Sequence, residues 1–133
     1  MAKRIIVIDD DIFIRELYEE VLKNAGYDVT SAEDGEVGLS KLLEGGFDAV
    51  LLDVMMPKLD GIGVLTKLKE TPPKQPNGPI LLLTNLDHDP MLDTAKKLGA
   101  TQYMLKADVL PPKLVELVNK ATASSSGAPQ PGQ

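Results

Sequence analysis

Cysteine and tryptophan are absent from the 133 residues of the chain, and histidine occurs once. Without cysteine the protein forms no disulfides and carries out no thiolate chemistry, which suits a reducing compartment. Long apolar runs are also missing, because the four aliphatic residues after Lys3 and Arg4 are too few for a signal-peptide core or a membrane span. We therefore expect a cytoplasmic protein with no membrane partner.

An excess of basic residues is missing as well, since 14 Lys and Arg face 20 Asp and Glu, for a formal net charge of −6. Binding to a nucleic-acid backbone needs clustered Lys and Arg, so we expect no DNA partner. Acidic residues, in contrast, are concentrated in Asp9, Asp10 and Asp11, directly after an apolar run. Such packed like charges are costly unless a cation or a proton offsets them, which makes the cluster a candidate ligand site.

Five short apolar segments predict the strands of a sheet. The runs 5–8, 49–52 and 80–83 are continuously aliphatic, as is typical of parallel strands buried on both faces. Segments 27–31 and 101–105 are weaker strand candidates. The first of these two alternates more, which suggests a strand at the edge of the sheet.

Between these segments the apolar residues recur at spacings of three and four, which predicts helices. The first helix has the apolar positions Ile14, Leu17, Tyr18, Val21, Leu22 and Ala25, and Gly26 ends it. The same pattern predicts helices before Gly45, after Gly61, between Asp89 and Gly99, and after Pro111 and Pro112. For the fourth helix we expect Asp89 at the N-cap and Pro90 at the first helical position.

Alternating strands and helices imply βαβ units, and hence an α/β domain with helices on both faces of a parallel sheet. We expect one domain over residues 1–123, with a Pro-rich connection over 71–78. Residues 124–133 consist only of Ser, Gly, Ala, Pro and Gln, a composition that does not bury enough apolar surface to fold. We expect a disordered tail there, with no effector domain after it.

Polar residues stand directly after the predicted strands, where open parallel sheets bind ligands. They are Asp9 and Asp10 after the first, Asp53 after the third, Thr84 after the fourth and Lys106 after the fifth. Carboxylates suit a hard cation such as Mg²⁺, and a carboxylate can accept a phosphoryl group. A hydroxyl and an ammonium would then neutralise phosphoryl oxygens.

Each of these residues also has a simpler interpretation. Asp9 and Asp10 would serve as a helix cap, Asp53 as a turn residue, Thr84 as an ordinary strand residue and Lys106 as a surface charge. His88, the one histidine, is best explained as a solvated loop residue. The constellation as a whole favours the ligand site.

The order and spacing of four stretches resemble the receiver domain of two-component response regulators, of the stand-alone chemotaxis type. The stretches are Ile-Asp-Asp-Asp at 8–11, Leu-Leu-Asp-Val-Met-Met-Pro-Lys-Leu-Asp-Gly at 51–61, Leu-Thr-Asn at 83–85, and Leu-Gly-Ala-Thr-Gln-Tyr-Met-Leu-Lys at 98–106. The resemblance covers residues 3 to about 122. It implies a doubly wound, flavodoxin-like sheet of five parallel strands in the order 2-1-3-4-5.

The resemblance also implies roles for individual residues. Asp53 would be the phosphoacceptor, served by a histidine kinase or phosphotransfer protein, and Thr84 and Lys106 would bind the phosphoryl group. Mg²⁺ would be held by Asp9, Asp10, Asp53 and the backbone carbonyl of Met55, with Asp10 a direct ligand. Tyr103 would switch orientation together with Thr84, changing the face formed by helix 4, strand 5 and helix 5. Such a protein is not an enzyme beyond its own phosphorylation and dephosphorylation.

Three positions depart from the family pattern or qualify it. Ala107 follows Lys106 where the family usually has a cis proline, so that this peptide bond is either trans or strained. Met55 and Leu86, the residues two beyond Asp53 and Thr84, are apolar. Polar side chains at those positions orient the hydrolytic water in this family, so we expect slow self-dephosphorylation.

Two other functions remain open. A module of the same fold that is never phosphorylated would bind a partner constitutively, although the intact acids, threonine and lysine argue against it. A flavin carrier would need a Ser/Thr/Gly-rich first turn and stacking aromatics, whereas this turn is acidic and aromatics are 4% of residues. The phosphoacceptor remains the leading hypothesis.

Overall fold

The computed structural model describes residues 2–85 and 90–125, with side chains up to residue 123. Strands and helices alternate along the described chain: β1 Arg4–Ile8, α1 Ile12–Asn24, β2 Asp28–Ala32, α2 Gly35–Glu44, β3 Ala49–Asp53, α3 Gly61–Glu70, β4 Ile80–Thr84, α4 Met91–Lys97, β5 Gln102–Leu105 and α5 Pro111–Ser125. A 3₁₀ turn over Lys106–Asp108 connects β5 to α5. The expectations for Leu86, His88, Asp89 and residues 126–133 lie outside the described residues.

The five strands form one parallel sheet in the order β2-β1-β3-β4-β5. This confirms the predicted α/β fold class, the strand order and the position of β2 at an edge. Apart from one end residue each, the central strands β1, β3 and β4 are aliphatic because both faces of the sheet are covered. Within the described residues no helix is long and apolar enough to cross a membrane.

Each face of the sheet has its own buried cluster. One cluster combines Ile5 and Val7 of β1 with Tyr18 of α1 and Leu114 of α5. The other joins alternate strand residues to α2, α3 and α4, for which Ile6, Ile8, Leu42, Val64 and Leu92 are representative. Successive side chains of a strand point to opposite faces, so residues at the strand ends are assigned to one face or the other by this alternation.

Helix ends follow the sequence signals, with two corrections. Gly26 and Gly99, with φ of 99° and 116°, follow the ends of α1 and α4 as predicted. Pro90 is not the first helical residue, because α4 begins at Met91 and Pro90 precedes it with φ −56° and ψ −26°. The alternative of Asp9 and Asp10 as helix caps is wrong, since Asp11 caps α1 by accepting from the N–H groups of Phe13 and Ile14. An Asx cap accepts from the second and third residues after it, and only Asp11 has that spacing from these two donors.

Gly35 is the point where α2 approaches the loop between β3 and α3. A Cβ at Gly35 would lie 1.8 Å from the backbone oxygen of Leu59. Any larger residue must therefore displace a main chain, which is more costly than moving a flexible side chain. The contact fixes α2 against the loop that follows Asp53.

We expect Gly35→Ala to lower the free energy of unfolding by about 1–3 kcal/mol or more, because the added methyl group overpacks the Leu59 carbonyl. Urea unfolding of the variant measures this change. Ser40→Ala, on the exposed side of the same helix, is the control and should leave stability nearly unchanged. Equal stability of Gly35→Ala and wild type would contradict the close contact.

Candidate functional site

Two carboxylates and one ammonium meet at the carboxyl edge of the sheet. The Lys106 Nζ atom lies 3.0 Å from Asp9 Oδ2 and 3.1 Å from Asp53 Oδ2. Asp9 and Asp53 are buried, with 0% and 3% of their surface exposed. Asp53 ends β3 on the same face as Ala49 and Leu51, which is the face covered by α1 and α5. The parallel strands thus bring residues far apart in sequence into direct contact.

The turn after β1 is held by hydrogen bonds that leave Asp10 exposed. Asp9 Oδ1 accepts from the N–H of Asp11 at 2.9 Å, and Arg15 Nη1 donates to the Asp9 carbonyl oxygen at 2.8 Å. Carboxylate oxygens of Asp9, Asp10 and Asp53 lie within 4.8 Å of one another. Arg15 was not among the predicted site residues, although a basic residue about one helical turn after an acidic cluster is a usable sequence signal.

The electrostatics of this group show a deficit of positive charge. Burial and the neighbouring Asp9 carboxylate together raise the pKa of Asp53 to about 7, although Lys106 opposes the shift. Burial lowers the pKa of Lys106, but Asp9 and Asp53 raise it by more, so the pKa of Lys106 lies above its ordinary value. The cluster of Asp9, Asp10 and Asp53 thus has three carboxylates and one neighbouring ammonium, that of Lys106.

This donor set fits a hard divalent cation. Three carboxylates within ligand distance of one another provide oxygen atoms, which Mg²⁺ prefers over nitrogen or sulfur. Asp9 and Asp53 are buried whereas Asp10 is open to solvent, so a cation bound among them would keep a solvent-facing side. Water would have access to the cation from that side.

The loop after Asp53 has an unusual backbone. The N–H of Met55 donates to Asp53 Oδ1 at 3.2 Å, and the N–H of Leu59 donates to the Pro57 carbonyl at 2.7 Å. Lys58, the central residue of that three-residue turn, has φ 68°, which a non-glycine residue rarely adopts. The Lys58 ammonium lies 3.5 Å from Asp34 Oδ2 at the start of α2.

Two further backbone features shape the same loop. The N–H of Gly61 donates to the Val54 carbonyl at 2.9 Å. A Cβ at Gly61 would lie 2.8 Å from the Asp53 carbonyl oxygen, so only glycine permits this approach of α3 to the end of β3. The side chain of Met55 is 59% exposed at the mouth of the site.

Thr84 and Tyr103 lie on the other face of the sheet from the ion pair. Thr84 ends β4, is 1% exposed and pairs in register with Leu105 of β5. Tyr103 pairs with Leu82, two residues before Thr84, and packs against the cluster of α2, α3 and α4. The Lys96 ammonium lies 5.8 Å from the centre of its ring.

The structure thus brings Asp9, Asp10, Asp53 and Lys106 together, and sets Thr84 at the neighbouring strand end. The described peptide bonds are all trans, including the bond from Lys106 to Ala107. Without a cis bond, Lys106 still contacts both carboxylates because the 3₁₀ turn begins at this residue. Tyr103 is outside this charged cluster.

Known proteins share both the sequence pattern and the fold. The model of the response regulator receiver domain family matches residues 5–119. The probable transcriptional regulator ycf27 of Porphyridium aerugineum is 43% identical over 78% of this chain and 42% of that protein. The chemotaxis protein CheY of Thermotoga maritima is 31% identical over 92% of this chain and 99% of that protein.

Among solved structures, a CheY-like response regulator receiver domain protein of Methanospirillum hungatei has a TM-score of 0.83 at 25% identity. The match covers 95% of this chain and 98% of that one. The chain spans less than half the length of the transcriptional regulators that it matches. The likeness to those regulators is therefore limited to one part of them.

The raised pKa of Asp53 predicts how stability depends on pH in the metal-free protein. Between about pH 4 and pH 7 the unfolded chain loses the Asp53 proton while the folded chain keeps it, so this residue destabilises the fold increasingly as pH rises. Asp53→Asn removes the effect. We expect the variant to be more stable than wild type by about 1–4 kcal/mol at pH 8, and the difference to shrink toward pH 4.

Urea unfolding in EDTA at several pH values measures this difference. Asp93→Asn removes one carboxylate from the exposed surface of α4, and its stability should differ little from wild type. A wild-type protein more stable than Asp53→Asn at pH 8 would contradict the charge deficit.

Proposed function

Because the chain belongs to the response regulator receiver domain family, we propose that it accepts a phosphoryl group on Asp53 from a histidine kinase or a phosphotransfer protein. The observation that carries this proposal is the buried Asp53 carboxylate with the Lys106 ammonium 3.1 Å from one of its oxygens. An ammonium in that position neutralises charge on a phosphoryl group attached to the carboxylate. The acid cluster beside it favours the same chemistry.

The reaction is a displacement at phosphorus. A carboxylate oxygen of Asp53 forms a bond to the phosphorus of phosphohistidine while the P–N bond breaks, and the bonding electron pair remains on the imidazole nitrogen. The product is an acyl phosphate. The Met55 N–H, which donates to Asp53 Oδ1, and the Lys106 ammonium hold the carboxylate in one orientation. The protein is a signalling phosphoacceptor that catalyses only its own phosphorylation and dephosphorylation.

We propose Mg²⁺ as the cation of the site. Asp9, Asp10, Asp53 and the backbone carbonyl of Met55 would hold it, and when bound it supplies positive charge to the phosphoryl oxygens. The 4.8 Å cluster of carboxylate oxygens supports this assignment. With the cation present, Asp53 ionises more readily because the local charge deficit is removed.

Thr84 and Tyr103 are proposed to transmit the modification. A phosphoryl group adds charge and strong hydrogen-bond acceptors, which would draw the buried Thr84 hydroxyl and Lys106 toward Asp53. Thr84 and Tyr103 share one face of adjacent strands, so movement of the first changes the space available to the second. The face formed by α4, β5 and α5 would then differ between two states.

The output would pass through protein contact on this face. A groove of about 330 Å³ lies between β5 and α5 and includes Tyr103, Asp108, Lys113 and Leu117 in its lining. We propose a protein target there, no contact with DNA or a membrane, and a cytoplasmic location. We also propose that one receiver domain spans residues 1–123, with α5 extending it to Ser125.

The alternative is a receiver-like module that binds its partner without phosphorylation. Incubation with acetyl phosphate and Mg²⁺ separates the two functions. We expect a gain of one phosphoryl group, acid-stable and base-labile as acyl phosphates are, mapped to Asp53 by mass spectrometry. Asp53→Asn should lose the label entirely because its amide is not a comparable nucleophile.

Asp93→Asn is the control, since it removes an exposed carboxylate of α4 that is not part of the Asp9, Asp10 and Asp53 cluster, and it should be labelled like wild type. Labelling of Asp53→Asn at wild-type level would reject the assignment. An unlabelled wild-type protein would favour the unphosphorylated module.

The exposed Met55 side chain predicts a long-lived phosphoryl group. Hydrolysis needs a water molecule aligned behind the phosphorus, and a thioether orients water poorly. Met55→Asn should therefore speed the decay of labelled protein several-fold, measured by loss of label after the donor is removed. Met55→Leu is the control and should decay at the wild-type rate. An equal rate for Met55→Asn would contradict this account.

A further inference from the structure

Tyr18 carries a buried hydroxyl that its packing does not explain. The residue is 2% exposed on α1, and its Oη atom has no hydrogen bond. Among the described side chains only one other buried polar atom lacks a hydrogen bond, and it is Asp9 Oδ2. Leaving a buried polar group without a partner costs about 1–3 kcal/mol. The two such atoms belong to neighbouring parts of the fold.

The surroundings of Tyr18 connect it to the site. Tyr18 belongs to the buried cluster that contains Val7, two residues before Asp9, and Val109, which directly follows the turn that begins at Lys106. Burial raises the pKa of the Tyr18 phenol, Asp9 raises it further and Lys106 lowers it. The charges of the ion pair therefore act on this phenol, which shares its buried cluster with residues that neighbour both charged groups in sequence.

Lys106 alone does not satisfy Asp9. Its ammonium is shared between Asp9 Oδ2 and Asp53 Oδ2, and the contact with Asp9 Oδ2 is an ion pair without hydrogen-bond geometry. If Lys106 follows a phosphoryl group on Asp53, the Asp9 carboxylate loses part of the one ion pair that it makes within the described residues. A neutral donor near Asp9 would then keep its carboxylate oriented, and a phenol is such a donor.

We propose that Tyr18 is a positioning residue of the site, whose hydroxyl is linked to the Asp9 carboxylate by hydrogen bonds through one buried water molecule. Its ring fills the core between α1 and the sheet, and its hydroxyl holds Asp9 in the orientation that a cation needs. Partners of this kind tune metal affinity because they fix the direction of a ligand oxygen. The inference rests on the proposed Mg²⁺-dependent phosphorylation.

Tyr18→Phe keeps the ring and removes only the hydroxyl. We expect Mg²⁺ to bind this variant about tenfold more weakly, as measured by calorimetric titration, with the metal-free free energy of unfolding unchanged or lower. A tyrosine that only filled the core would give the opposite pair of results. Mg²⁺ affinity would stay at the wild-type value and stability would rise, because an unpartnered hydroxyl has been removed. That outcome would overturn the inference.

Tyr27→Phe is the matched control, because Tyr27 precedes β2 at the other end of the strands and donates to Asn119. Its Mg²⁺ affinity should equal that of wild type. If wild-type protein neither binds Mg²⁺ nor accepts the label, the proposed function and this inference are both contradicted. If wild-type protein binds Mg²⁺ and accepts the label, and Tyr18→Phe binds Mg²⁺ with the same affinity, only this inference is contradicted.

A spectroscopic measurement tests the inference without Tyr18→Phe. The chain has no tryptophan and three tyrosines, so Tyr27→Phe combined with Tyr103→Phe leaves Tyr18 as the one phenol. Addition of Mg²⁺ should then change the ultraviolet absorbance spectrum of this double variant, because charge rearranges next to the phenol. A spectrum unaffected by saturating Mg²⁺ would overturn the inference.

Discussion

The ammonium of Lys106 between the carboxylates of Asp9 and Asp53 is the contact on which the rest of the site depends. Burying charges is tolerated only where partners offset the lost hydration. Here one cation faces two buried acids and a third at the rim, so the offset is incomplete. We propose that this imbalance favours the binding of a divalent cation and, in turn, of a phosphoryl group. A fully neutralised cluster would be more stable and chemically inert.

The parallel sheet produces this arrangement through strand alternation. Ala49 and Leu51 bury their side chains under α1 and α5, and Asp53 follows them onto the same face at the point where β3 ends. Thr84, by the same alternation, joins Tyr103 on the face covered by α2, α3 and α4. The chemistry and the proposed readout are therefore on opposite faces of one sheet, separated by a single layer of backbone.

Much of this was predictable because local patterns carry it. Aliphatic runs fixed the strands, Gly26 and Gly99 marked helix ends, and the acids after the strands identified the site region. Features that depend on tertiary packing were not predictable. The pairing of Lys58 with Asp34 joins separate loops. The unpartnered hydroxyl of Tyr18 could not be predicted, because the helical pattern treats Tyr18 only as an apolar position. The start of α4 was wrong by one residue because a proline suits both the cap and the first turn.

The three-residue turn at Lys58 has a mechanical consequence. Its central residue is held at φ 68° while its side chain pairs with Asp34, which also caps α2 through the N–H of Val37. A Cβ at Gly35 would collide with the Leu59 carbonyl, so α2 and the loop after Asp53 are in close backbone contact. These contacts restrain the loop on this flank of the Asp53 carboxylate. If Asp53 gains a phosphoryl group, as we propose, this restrained loop would move little. The strands and side chains on the opposite flank would then change position instead.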